Sequence, residues 1–289
     1  MSQVASCVRI VPGVLALLGS STAVAGYQSG FARFGAVTDT IQVLGNTQFG
    51  QGDFTYEMHI RIDASSGFGH IISEQRDTFE DKTMRIGADG SYIFSGAYAS
   101  GEPGHMAGSI PGFVAGDWMH LAYVRRSGIA TIYMNGEARV QRAAPSAYGD
   151  HAGSWMSIGM FRYGAGWSPT DARPSFIGDL DWIRVSAGAR YSGAFVPPTE
   201  AGISADASTQ LLLRFNEAAG TSVLVDESAN QFQCKLGIPV YPGVVATSPT
   251  MMYGTVPGPG SLVVLVGGAL GARSRRRLAR SSLTVRQCA

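Results

Sequence analysis

The sequence is poor in charge, and the little it has is unevenly placed. Charged residues make up 15% of the 289 positions and hydrophobic residues 45%, which excludes a disordered or strongly solvated chain. Lysine is nearly missing from the long middle section, where residues 26–255 hold only Lys82 and Lys235. Residues 1–25 contain one base, Arg9, and no acid, while residues 256–289 contain six arginines and no acid. The middle keeps 15 basic against 21 acidic side chains, a net of −6 that the overall +1 conceals. It lacks the basic surface needed to neutralise phosphates, which argues against a nucleic-acid partner. Cysteine is scarce as well. Cys7 and Cys288 lie in the two end segments, leaving Cys234 alone in the middle with no internal disulfide, so a core must hold the fold.

Glycine is plentiful, at 38 residues beside 13 prolines, and no segment keeps a 3.6-residue period. Both features favour short strands joined by tight turns. Phe54, Tyr56, Met58, Ile60 and Ile62 alternate with Thr55, Glu57, His59 and Arg61, predicting one strand with a core face and a polar face. Asp89-Gly90 and Asn135-Gly136 interrupt strand-like flanks and tolerate the positive φ of hairpin turns. Phe176 to Val185 and Leu211 to Phe215 read as further strands, and the whole as an antiparallel sandwich. Trp118 and Trp182, within strand motifs, are expected in the core.

The ends read differently. Residues 1–25 predict a secretory signal, with Arg9 as the charged region, an apolar stretch, and cleavage directed by Ala23 and Ala25. At the other end, an apolar run of 11 residues, 262–272, is short for a membrane-spanning helix, which needs ~20, and Arg273 to Arg277 follow it. Pro257, Pro259, Gly260 and Ser261, this short apolar run, and then Arg275, Arg276 and Arg277 together resemble the PEP-CTERM sorting signal, with Gly258 where that signal carries Glu. The resemblance implies an exported protein of the cell envelope, held in the membrane by a C-terminal helix and handed to an exosortase-type processing enzyme.

A second resemblance covers the middle. Phe34-Gly35, Asp39-Thr40-Ile41-Gln42-Val43 and Gly52 to Glu57 look like the opening of LamG-like, concanavalin A-type jelly rolls. Gly116-Asp117-Trp118 to Arg125, followed by Tyr133-Met134-Asn135-Gly136, resembles their central hairpin, and Ile177 to Val185 with Ala189-Arg190-Tyr191 their closing strand. The organisation expected is therefore signal 1–25, jelly roll 26–246, linker 247–255, sorting anchor 256–277 and basic tail 278–289.

Glucanases on this sandwich set their carboxylates along one strand as Glu-x-Asp-x-x-Glu, about 5 Å apart for retaining hydrolysis. None of the eight Glu here has Asp two positions later, and Asp179-Leu180-Asp181-Trp182-Ile183-Arg184 places Arg where the last carboxylate belongs. There is no P-loop, no Gly-x-Ser-x-Gly elbow and no His-Glu-x-x-His, although a triad built from distant residues stays open. Many LamG-like domains hold Ca²⁺, which makes Asp39, Asp53, Asp179 and Asp181 the candidate ligands; the same residues would otherwise cap turns. Trp155 and the loop bearing Arg162, Tyr163 and Trp167 are the candidate ligand-binding residues, since sugars stack on aromatic rings and bond to guanidinium. The same rings could instead close the edge of the core. The function expected is a non-catalytic domain at the cell surface, binding glycan or another ligand or serving as an extracellular matrix component. The alternative is a divergent glycoside hydrolase or lyase.

Overall fold

The computed structural model describes residues 26–45, 52–76, 79–95, 105–144, 155–160, 174–237 and 246–258. They form two eight-stranded sheets packed face to face. The first sheet holds β1 (Tyr27–Phe34), β3 (Phe54–Ile62), β8 (Trp118–Arg126), β9 (Ile129–Met134), β10 (Glu137–Ala143), β12 (Gly178–Ala187), β13 (Thr209–Leu213) and β16 (Thr250–Val256). The second holds β2 (Thr40–Leu44), β4 (Gly69–Arg76), β5 (Phe79–Ile86), β6 (Ser91–Ser95), β7 (His105–Ser109), β11 (Trp155–Gly159), β14 (Val223–Leu224) and β15 (Gln233–Leu236).

The first sheet runs β10-β9-β8-β3-β12-β1-β16, and the second β14-β15-β2-β11-β4-β5-β6-β7. Every pairing between these strands is antiparallel, as expected. Central β12 pairs β3 along one edge and shares its other edge between β1 and β13.

Local chemistry explains the connections. Asn135 (φ 53°) and Gly136 (φ 81°) make the two-residue turn joining β9 to β10, since both central positions of such a turn need positive φ. Gly136 has a second reason to lack a side chain: a Cβ there would lie 1.9 Å from the Phe195 carbonyl oxygen. Ser127 (φ 48°) and Gly128 (φ 77°) make the same kind of turn between β8 and β9. The Asp89-Gly90 hairpin forms, but residues 87–90 make a four-residue connection in which only Gly90 (φ 76°) is left-handed.

The core lies between the sheets. Phe54, Tyr56, Met58, Ile60 and Ile62 all face it, as the alternation predicts, together with Phe34, Ile72, Phe94, Tyr123 and Leu213. One ion pair is buried beside them. Lys82 Nζ donates to Glu74 Oε2 at 3.0 Å, and the Tyr56 hydroxyl, from the opposite sheet, donates to Glu74 Oε1 at 2.8 Å. Cys234 is a free, buried thiol of β15, which burial pushes up to about 12.

Two expectations need correction. Most of residues 247–255 belong to β16 rather than to a linker, and this strand pairs with β1 along seven residues, from Tyr27↔Val256 to Arg33↔Thr250. The segment is uncharged because it is a sheet edge with Met251 and Val256 turned into buried positions. Trp182 is buried as expected, in a cluster with Ile203 and Leu212, whereas Trp118 is only half-buried, its ring edge-on to Phe31. Among the described residues no helix is long and apolar enough to cross a membrane. The predicted signal, with Ala23 and Ala25, lies outside the described residues. So do Arg162, Tyr163, Trp167, Pro259, Gly260, Ser261, Arg275, Arg276, Arg277 and the tail; Pro257 follows β16 directly.

A chain ending at residue 245 is expected to lose about 3 to 6 kcal/mol against one ending at 258, from unburying Met251 and Val256 alone. Urea denaturation followed by tryptophan fluorescence measures the difference; equal midpoints would mean that β16 contributes nothing.

Candidate functional site

The outer face of the first sheet carries the residues that the alternation assigned to solvent. Thr55, Glu57 and His59 of β3 are instead fully buried. Over Thr55 and Glu57 the cover is residues 188–205, which cross this face between β12 and β13, while His59 lies against Tyr27, Trp118 and Trp182. Tyr191 and Phe195 of this crossing segment pack on Ala122, Val124 and Tyr133, and Ile203 packs on Trp182. A bulge in β12 at Asp181, between the register positions of Leu180 and Trp182, completes the layer. The extra residue shifts the alternation, so Leu180, Ile183 and Val185 all join the core while Asp179, Asp181 and Arg184 keep to the other side.

Beneath the crossing segment lies a charged cluster. Glu57 accepts hydrogen bonds from Arg184 Nε at 2.7 Å, the Tyr191 hydroxyl at 2.6 Å and His120 Nε2 at 3.3 Å. Arg190 adds an ion-pair contact at 3.5 Å. Burial pushes the Glu57 carboxyl up, but the His120 hydrogen bond and the Arg184 charge outweigh it and bring the group down to about 2. Burial lowers His120 below its ordinary value despite the Glu57 carboxylate, so the ring is neutral.

The four aspartates proposed as calcium ligands do not converge. Asp179 is fully buried between Arg33 and Arg61, whose guanidiniums both donate to it. Asp181 accepts from the Tyr27 hydroxyl and lies 3.0 Å from His59 Nδ1. Asp39 accepts the Gly35 and Ala36 amides at 2.7 and 2.9 Å and the Thr247 hydroxyl at 2.6 Å. Asp53 accepts the Ser127 amide at 2.8 Å, bracing the β8–β9 turn. Among the described residues no group of three or more His, Cys, Asp or Glu could hold a metal ion.

Where the crossing segment meets the meander β8-β9-β10, a groove of about 330 Å³ opens. Val124 and Arg126 come from β8, Ser127 from the turn, and Ile129, Thr131 and Tyr133 from β9. Gln141 of β10 stands on one side, Tyr191 and Ser192 on the other. The volume falls at the small end of the range for ligand sites, roughly 300–1,000 Å³, and the mix of apolar wall and a few polar groups is typical of them. Tyr191 stacks on Phe195 with ring centroids 3.4 Å apart, and Tyr133 meets both rings edge-on at 6.2 and 5.5 Å. The aromatic end of the groove is therefore rigid, and the Tyr191 hydroxyl anchors it to Glu57. The groove was not anticipated from the sequence. Of the residues that were, Trp155 lies on β11 in the other sheet, paired with Gln75, and Arg162, Tyr163 and Trp167 lie outside the described residues.

Two antiparallel sheets packed face to face define a jelly-roll sandwich. The family model Laminin_G_3, described as the concanavalin A-like lectin/glucanases superfamily, matches residues 34–192, a span that contains every groove residue. The chain belongs to this family. No curated protein matches the chain. Among solved structures it is similar to a candidate carbohydrate binding protein from Bacteroides ovatus, at 17% identity and a TM-score of 0.51, covering 81% of this chain and 61% of that one. The chain thus spans about 61% of that protein's length. It also resembles the CBM40 of the Ruminococcus gnavus IT-sialidase (11% identity, TM-score 0.42, 58% of this chain, 95% of that one). A leech intramolecular trans-sialidase follows (13%, 0.43, 58% and 27%).

Glu57 has a folded-state value below the ordinary 4.5, so it stabilises the fold above pH 4.5, and this contribution is lost as pH falls towards 2. His120, held below 6.5, adds to the loss from pH 6.5 downward, because the unfolded chain takes up that proton first. Denaturation midpoints measured across this range are expected to fall in that order. Glu57→Gln should cost about 3–5 kcal/mol at neutral pH by leaving buried guanidinium unpaired, and should flatten the profile below pH 4.5. An unchanged acid profile in the variant would remove Glu57 from the account.

Proposed function

We propose that this domain is a non-catalytic glycan-binding module of the cell envelope, and that the groove at Tyr133, Thr131, Gln141 and Tyr191 is its binding site. The observation that carries the reading is the groove itself: a preformed concavity with rigid aromatic rings beside hydroxyl and amide groups. Apolar C–H faces of a sugar suit the rings, and its hydroxyls suit Thr131, Gln141, Ser127 and Ser192. Among the described residues no carboxylate lines the groove, and the nearby Glu57 is engaged by Arg184, Tyr191 and His120. The likeness to the Bacteroides ovatus protein described as carbohydrate binding agrees with this reading, as an argument from fold alone.

Export is part of the proposal. The signal ending at Ala25 and the PEP-CTERM-like segment would deliver the domain across the inner membrane, hold it by its C-terminal helix, and present it to an exosortase-type enzyme. β1 begins at Tyr27, two residues beyond the expected cleavage site.

Ser192→Trp fills the groove from an exposed position and is expected to weaken glycan binding at least about tenfold, an effect of ~1.4 kcal/mol, with the melting temperature unchanged. Binding on a glycan array that survives this substitution would place the site elsewhere. N-terminal sequencing of the protein recovered from the envelope is expected to begin at Gly26; recovery of an intact Met1 terminus would overturn the export reading.

A further inference from the structure

We infer that the sugar held in the groove carries an anionic group, a carboxylate or a sulfate, and that Arg126 is the residue that selects it. The inference rests on the glycan-binding reading of the same groove and names the class of sugar.

Among the described residues, Arg126 is the one charged side chain lining the groove. Many other arginines of the described residues are matched to carboxylates: Arg33 and Arg61 to Asp179, Arg139 to Glu137, Arg184 to Glu57, Arg190 to Asp206, and Arg214 to Glu200 and Glu227. The Arg126 guanidinium makes no hydrogen bond or ion pair with any described residue. Asp53 accepts the amide of the adjacent Ser127 and forms no ion pair with Arg126. In a section whose net charge is −6, acids are abundant, yet this cation is left without one at a concave site.

The surroundings suit an acidic sugar. A planar guanidinium fork matches two oxygens of a carboxylate or sulfate at once. Ile129, 40% exposed on β9, offers an apolar surface to the C–H face of a ring. Gln141 Nε2 lies 3.3 Å from Thr131 Oγ1, so these two groups form a ready-made patch for sugar hydroxyls. A neutral glycan would leave Arg126 without a counter-charge, and the anionic group of an acidic one supplies it.

The test uses the mature envelope protein on an array carrying neutral, uronate-bearing and sulfated glycans. Calorimetry then follows, comparing an oligogalacturonide with its carboxyl-reduced counterpart and with a sulfated galactan oligosaccharide. The acidic members are expected to bind at least about tenfold more tightly than the reduced one, with a preference that shrinks as salt rises. Whether carboxylate or sulfate gives the larger gain identifies the source of the charge. Arg126→Gln should erase the difference between acidic and reduced ligands, while Arg126→Lys should retain part of it. Hits confined to neutral glycans, or a preference that survives Arg126→Gln, would overturn the assignment and leave the glycan reading standing. An array with no hits would overturn both.

Discussion

Glu57 is the constraint around which the outer half of this molecule is arranged. A carboxylate buried in that way is tolerable only when its charge and lone pairs are met. Its partners come from three places: His120 from β8, Arg184 from β12, and Tyr191 with Arg190 from the crossing segment. None of these alone compensates it. The crossing segment is thereby held against the sheet at a fixed position, and the wall that Tyr191 gives the groove stands where it does because its hydroxyl ends on that carboxylate. A buried ion cluster of this kind is weak evidence for stability but is well suited to fixing one arrangement over its neighbours.

A second polar tie works inside the sandwich. Glu74 and Lys82 sit opposite each other on β4 and β5, and Tyr56 reaches Glu74 from the facing sheet. Apolar contacts across a sandwich allow some sliding. A directional bond across the gap specifies how the two sheets are set against each other. One of the two lysines of the middle section is thus inside the protein, which leaves its surface still poorer in positive charge.

What could be read from the sequence divides along physical lines. The core face of β3, the Asn135-Gly136 turn and the antiparallel sandwich were legible because each follows from local chemistry. The burial of Glu57 was not, since it depends on a segment more than 130 residues away returning over it. The β12 bulge left a trace: Leu180, Ile183 and Val185 cannot share a face by strict alternation, and one extra residue reconciles them. β16 was hard to tell from a linker because it is uncharged and its sequence and burial do not alternate, its pairing with β1 being what makes it a strand. The groove left no trace, being assembled from ordinary residues such as Thr131 and Gln141 of one hairpin and Ser192 of the crossing segment. The Ser127-Gly128 turn, which shapes its floor, carried a glycine signal that went unused.

The pairing of Tyr27 with Val256 has a mechanical consequence. The two ends of the domain leave side by side at one edge of the first sheet, while the groove occupies the opposite edge. Between β16 and β9 lie five strand-to-strand steps of ~4.8 Å, or about 24 Å. The groove is therefore set a full sheet width from Val256. Any force between the groove and Val256 crosses the hydrogen-bonded ladder from strand to strand and ends on the seven pairs that join β1 to β16.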